Sequence, residues 1–113
     1  MSATDSRTVA LAGGDCVLRI APHIGGAWTS LAWRGQPVLR ETPEAAITDG
    51  NVRLAACYPL VPYSNRIAGA RLRHAGRDYA LAHNFGDQPH AIHGVGWQRA
   101  WSVVAATEDR ATL

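Results

Sequence analysis

Val9-Ala-Leu-Ala-Gly-Gly-Asp-Cys-Val-Leu-Arg-Ile20 reads as two short apolar runs folded back on each other. The runs Val9–Leu11 and Cys16–Ile20 flank Gly13-Gly14-Asp15. Glycine there supplies the positive φ that a tight hairpin loop demands, because it has no Cβ to clash with the preceding carbonyl. The stretch therefore predicts an antiparallel pair of strands.

The same grammar repeats outward from it. Ala27-Trp-Thr-Ser-Leu-Ala-Trp33 alternates bulky and small residues and ends at Arg34-Gly-Gln, a second tight turn, after which Pro37-Val-Leu-Arg40 continues. Arg71–His74 and Asp78–Ala82 flank Ala75-Gly76-Arg77 as a further hairpin, and Trp101-Ser-Val-Val-Ala-Ala106 reads as the last strand. Helix is expected only around Pro43-Glu-Ala-Ala-Ile47, with Thr42 as a cap. Short strands with closely spaced turns predict an all-β fold, an antiparallel sandwich or barrel.

Composition narrows the function classes. A chain of 113 residues makes one domain with a modest core. A net charge of +2 is too small for the counterion displacement that holds a protein to nucleic acid. All eleven basic side chains are arginine, a bias that coding composition explains without any functional reason. No apolar run approaches the ~20 residues of a membrane-spanning helix, and the polar start Met1-Ser-Ala-Thr-Asp-Ser-Arg7 has no apolar stretch of the export type. Cys16 and Cys57 fit no metal or redox spacing. The cytoplasm is the expected compartment, with neither nucleic acid nor membrane as partner and no cofactor.

Two segments interrupt the strand pattern, Ala55–Gly69 and His83–Gln98. Both are rich in turn residues yet carry aromatic and basic groups, and loops on a rigid sheet are where binding chemistry concentrates. Arg66 either pairs with a carboxylate, packs on Tyr63, or offers its planar fork to ligand hydroxyls. His93 either holds structure or faces a ligand, and Gly94 beside it permits a close backbone approach to that ligand. Trp97 and Trp101, four apart, suit a core; Trp97, nearer His93, is the better candidate for stacking on a sugar ring. His90 and His93 with His83 raise a zinc reading, but residues three apart in an extended loop point to different sides, so no metal is expected. Ser64 lacks the surroundings of a nucleophile.

Taken together in order, Tyr63-Ser-Asn-Arg-Ile-Ala-Gly69, Gly76-Arg-Asp-Tyr-Ala-Leu81, Asn84 and His90-Ala-Ile-His-Gly-Val-Gly-Trp-Gln-Arg-Ala-Trp101 resemble the front part of the aldose 1-epimerase (galactose mutarotase) family. Gly25-Gly26-Ala-Trp-Thr-Ser-Leu31 and Gly35-Gln-Pro-Val-Leu39 resemble its opening strands. The resemblance implies a large antiparallel β-sandwich, the mutarotase-like supersandwich, of which residues 1–113 are expected to be an N-terminal part. It implies interconversion of the α and β anomers of a hexose such as galactose or glucose by general acid–base catalysis. By motif, Asn65, Arg66, His93 and Trp97 are expected to hold the sugar, and His93 to take part in catalysis. The family's carboxylate base and histidine acid come from later positions, and no residue here matches them. Where the family carries a glycine pair after the histidine, Val95 stands in the second place.

The alternative from another class is a non-catalytic carbohydrate-binding β-domain. A sandwich represented by its opening strands also leaves strand edges open, so self-association is expected. The first measurement is circular dichroism: antiparallel β signal should dominate, and a helix-dominated spectrum would refute the strand reading.

Overall fold

A computed structural model describes residues 7–113. They fall into two compact units, Met1–Pro59 with Gly96–Leu113, and Leu60–Val95. Every strand pairing in them is antiparallel.

The first unit opens with the expected hairpin. β1 (Val9–Gly13) and β2 (Cys16–Ala21) pair from Val9↔Ile20 to Gly13↔Cys16, which leaves Gly14-Asp15 as a two-residue loop. Gly14 has φ 57°, the left-handed value the loop requires. β3 (Ala27–Trp33) follows, then β4 (Gln36–Pro37), and the four lie in sequence order. Arg34 and Gly35 form the third connection at φ 49° and 76°. Arg34 is anchored there by Asp15, 2.9 Å from its Nε, and by stacking 4.5 Å over the Trp33 ring. Both groups of that ion pair are more than half exposed, so its contribution to stability is small.

One irregularity shapes the sheet. Arg19 pairs with Ser30 but Ile20 pairs with Trp28, so Thr29 is an extra residue on β3. Such a bulge bends its strand. Thr29 is buried, and its hydroxyl donates to the Arg19 carbonyl at 3.3 Å. Its own carbonyl accepts from Thr42 N–H at 2.9 Å.

The one α-helix among the described residues, α1 (Glu44–Asp49), lies one residue later than the sequence predicts and ends at Gly50 in the left-handed region. The cap expectation fails. Pro43 occupies the N-cap, no side chain caps the helix, and the buried Thr42 hydroxyl has no hydrogen-bond partner. Proline has no side-chain acceptor to offer, and the short helix is started by the Pro43 carbonyl, which accepts from Ala46 N–H at 3.0 Å.

The Leu60–Val95 unit holds two small ladders. β5 (Arg66–Ile67) pairs with β8 (Ala91–Ile92), and β6 (Arg71–His74) pairs with β7 (Arg77–Ala80). Ala75 and Gly76, at φ 50° and 75°, make the β6–β7 turn where glycine punctuation predicts it. All eight paired residues of that hairpin are exposed, His74 among them.

The end of the chain differs from expectation. Trp101–Val104 is not strand. Only β9 (Ala105–Ala106) enters a ladder, with β10 (Ala111–Thr112), which the sequence reading did not foresee. Trp101 is held elsewhere: its N–H donates to the Pro22 carbonyl and its indole Nε1 to the Gly96 carbonyl, both at 2.8 Å. Val104 N–H donates to the Thr112 carbonyl at 2.8 Å, so the pairing begins only at the end of the segment, and strand-forming composition alone does not make a strand of the rest. Ala12 N–H donates to the Glu108 carbonyl at 2.8 Å, which ties the terminal turn to β1.

The core of the first unit sits where these segments meet. Ala21, Pro22, Ile24, Gly25, Gly26 and Ala27 are all buried. Small residues are required here. A Cβ on Gly25 would lie 2.9 Å from Trp97 Cα and closer still to the Trp97 carbonyl oxygen. A Cβ on Gly26 would lie 3.4 Å from Pro59 Cγ and 3.6 Å from the Trp101 ring. Trp97 itself is 5% exposed and tilts against Tyr58 with ring centroids 6.4 Å apart.

This packing predicts a sharp contrast between two glycines of the same conformation. Gly25→Ala should lower stability by about 2–5 kcal/mol, combining about 1–2 for an L residue in the left-handed region with about 1–3 for overpacking against backbone. Gly76→Ala, with nothing within 4 Å of its Cβ, should cost only the first part. Urea midpoints measure both, and equal shifts would overturn this account of the core.

Candidate functional site

The chemistry-bearing residues Asn65, Arg66, His90 and His93 all belong to the Leu60–Val95 unit. The two segments that read as loops meet there in the β5–β8 ladder, in the register Arg66↔Ile92 and Ile67↔Ala91. A two-residue ladder is below what periodicity detects, so the sequence did not disclose it.

Just beyond the end of this ladder, Asn65 and His93 bond to each other by an unusual exchange. His93 N–H donates to the Asn65 carbonyl at 2.9 Å. Asn65 N–H donates to Nδ1 of the His93 ring at 3.0 Å. Both residues take left-handed backbone conformations, φ 61° and 59°, uncommon for residues other than glycine. The exchange fixes the tautomer. An Nδ1 that accepts a backbone N–H carries no proton, so the neutral ring presents Nε2–H as a donor.

His90 repeats the device one turn away. Its Nδ1 accepts from Gly69 N–H at 2.9 Å. The two imidazoles thus hold the two ends of the Asn65–Gly69 segment through the same ring atom. Among the described residues, no three His, Cys, Asp or Glu side chains converge as metal ligands would.

Arg66 is exposed on β5. Its Nη1 donates to Asn65 Oδ1 at 3.4 Å, a long contact that leaves the guanidinium most of its donor capacity. Of the three readings open to Arg66 from the sequence, this geometry is compatible with a hydroxyl-binding fork held loosely in place by its neighbour.

Asn84 is the residue whose role the sequence reading passed over. Its amide nitrogen donates to the Ile92 carbonyl at 2.7 Å and to the Gly94 carbonyl at 3.0 Å. Its amide oxygen accepts from Ile92 N–H at 2.8 Å. Asparagine in a turn commonly serves backbone groups nearby, and that tendency is the signal which could have found it.

Gly94 is explained differently from the expectation. It has φ 65°, and a Cβ there would lie 2.6 Å from Pro62 N and closer to Pro62 Cδ and the Val61 carbonyl oxygen. The Val61 carbonyl also accepts from Val95 N–H at 3.1 Å. The close approach that glycine permits is therefore to the protein's own Val61–Pro62 backbone rather than to a ligand. Trp97, the remaining candidate, belongs to the other unit and is buried there against Gly25 and Tyr58, which supports the packing role among its two readings.

Comparison with known proteins follows this geometry. The aldose 1-epimerase family model matches residues 8–113. The protein YphB of Escherichia coli K12, which has no characterised function, is 35% identical over 82 residues, covering 72% of this chain and 27% of that protein. A crystal structure from Escherichia coli K12, assigned as an aldose 1-epimerase, superposes with a TM-score of 0.81 at 31% identity over 92% of this chain and 34% of that one. The Slr1438 protein of Synechocystis sp. PCC 6803 superposes at 0.65 with 23% identity over 98% and 38% of the two chains, a likeness of fold alone. The chain thus spans 27–38% of the length of these relatives.

Proposed function

The chain belongs to the aldose 1-epimerase family, and from that premise we propose that its Leu60–Val95 unit supplies the sugar-holding part of a site that interconverts the anomers of a hexose. The reaction removes the proton of the anomeric hydroxyl while the ring oxygen is protonated. The C1–O5 bond breaks, the aldehyde turns over, and the ring closes on its opposite face. Both proton transfers are general acid–base steps.

The roles follow from donors and acceptors. Arg66 offers several N–H groups in one plane and donates to one sugar oxygen or to two vicinal ones. His93 offers Nε2–H to a sugar oxygen on which charge develops, which makes it the catalytic contributor from this chain. Asn65 holds both neighbours: its backbone orients the His93 ring and its side chain steadies Arg66. Trp97 is kept as core. The principal acid–base pair is not among these residues, so the 113-residue chain binds a hexose and turns it over poorly.

The observation that carries the proposal is the Asn65–His93 exchange. The exchange spends the Nδ1 side of the ring on the Asn65 main chain and leaves Nε2–H as the donor that a sugar oxygen would meet. The alternative, a non-catalytic sugar-binding domain, shares the binding step and differs in turnover, so two measurements separate them.

Titration with galactose and glucose tests binding. Arg66→Ala should weaken it by about tenfold or more, since a hydrogen bond from a charged group is worth about 1.5–3 kcal/mol. His74→Ala, altering an exposed hairpin residue, should leave it unchanged. Equal effects of the two substitutions would refute the assignment of Arg66.

Polarimetry on freshly dissolved α-glucose or α-galactose tests turnover. The chain by itself should show little acceleration, because each missing acid or base removes about 10²–10⁴-fold. Strong acceleration lost in His93→Ala would show that these residues supply the pair after all.

A further inference from the structure

The reading of His93 as a sugar contact raises the question of what keeps a non-glycine residue at φ 59° with its ring turned toward Asn65. β8 ends at Ile92, so the ladder itself does not continue through His93. The next residue, Gly94, is also left-handed at 65°. A left-handed backbone is unfavourable at the non-glycine position of such a pair, and surrounding structure must overcome that cost.

We propose that Asn84 is the positioning residue for His93: its carboxamide bridges the backbone on both sides of that histidine and so sets the peptide orientations that aim the imidazole at Asn65 N–H. The proposal rests on the functional reading of His93 but is built from independent geometry. Asn84 donates to the carbonyls of Ile92 and Gly94, at 2.7 and 3.0 Å, and accepts from Ile92 N–H at 2.8 Å. The peptide group that precedes His93 and the one that follows Gly94 are thereby both tied to one planar group, which brackets the two left-handed residues. A carboxamide is the side chain with a donor pair and an acceptor in the same plane at this reach, and no purely apolar or acidic group reproduces it. Asn84 is half-buried, which strengthens the bonds and raises the cost of leaving any of the three backbone groups unpaired.

Replacement by aspartate sharpens the point. Asn84→Asp keeps the shape and the acceptor for Ile92 N–H, but sets a carboxylate oxygen against two carbonyl oxygens. If the residue merely fills space, this isosteric change leaves His93 as it is. If it positions His93, the two peptide groups turn and the ring leaves Asn65.

The experiment is heteronuclear NMR on the 113-residue chain, uniformly labelled with ¹⁵N and ¹³C. In the unmodified protein, coupling across the hydrogen bonds should connect the Asn84 amide nitrogen to the Ile92 and Gly94 carbonyl carbons. A nitrogen–nitrogen coupling should connect the Asn65 amide to His93 Nδ1, with ring shifts of the Nε2–H tautomer. In Asn84→Asp and Asn84→Ala, the Asn65–His93 coupling and the single-tautomer shifts should be lost, while the Gly69–His90 coupling and the β1–β2 amides stay unchanged. Persistence of the His93 coupling in either folded variant overturns the proposal. So does absence of the Asn84 couplings in the unmodified chain, a result that stands even where both variants fail to fold. Sugar titration then adds a separate outcome: Asn84→Ala should bind galactose or glucose about tenfold more weakly, about 1.4 kcal/mol. If neither the unmodified chain nor the variant binds sugar but the NMR pattern holds, the functional reading fails and the positioning role remains.

Discussion

The approach of Gly25 to the backbone of Trp97 is the contact on which the first unit depends. A Cβ at position 25 would overlap the Trp97 carbonyl, so the two stretches of main chain touch with no side chain between them. Through that contact the segment after Gly96 returns to the strands that open the chain. The Trp101 hydrogen bonds to Pro22 and Gly96 follow from it, as does the burial of Trp97. Hydrophobic burial supplies the driving force, but the fit between small residues at 21–27 and two tryptophans decides which arrangement forms. Residues 60–95 leave and re-enter the chain between the two halves so joined.

Within the Leu60–Val95 unit a different economy operates. Few side chains there are fully buried; Ala70, Ala91 and Ile92 are the apolar ones among the described residues. Order comes from polar groups instead. Asn84, His90 and His93 each serve backbone atoms that no ladder reaches, and Gly94 admits the Val61–Pro62 backbone. Backbone groups removed from water need partners, and here side chains provide them.

Much of this was legible in the sequence where local chemistry dictates local structure. Gly14, Gly35 and Gly76 marked hairpin turns, and each adopts the positive φ that a two-residue loop requires. The strands around them form where those turns place them, though burial alternates along β1 and the start of β3 only, and the β6–β7 hairpin is exposed throughout. The ordered motifs around Asn65, Arg66, Asn84 and His93 carried the family resemblance, which the family match over residues 8–113 bears out. What was not legible depends on contacts between residues far apart in sequence. Trp101-Ser-Val-Val104 has the β-branched composition of a strand, yet Trp101 is anchored to Pro22 and Gly96 and only Val104 N–H reaches β10, at the Thr112 carbonyl. β5 and β8 are two residues each, too short for any period to register. Gly94 was correctly singled out, but only the structure identifies what comes close to it. Thr42 has the chemistry of a cap, but Pro43 occupies the cap position.

The Nδ1 contact of His93 bears on how this position can change over evolutionary time. One ring must accept a main-chain hydrogen at its inner nitrogen and present a hydrogen at its outer one. Asparagine reproduces the inner atom of an imidazole and glutamine the outer atom, and no other side chain reproduces both on a rigid frame. A drifting sequence therefore meets two separate filters at a single codon, one set by folding and one by chemistry. Relaxing selection for sugar turnover would not free the site, because the demand from the Asn65 main chain persists. A lineage that abandoned catalysis would keep an acceptor here for as long as it kept the turn, and asparagine is the exchange left open to it.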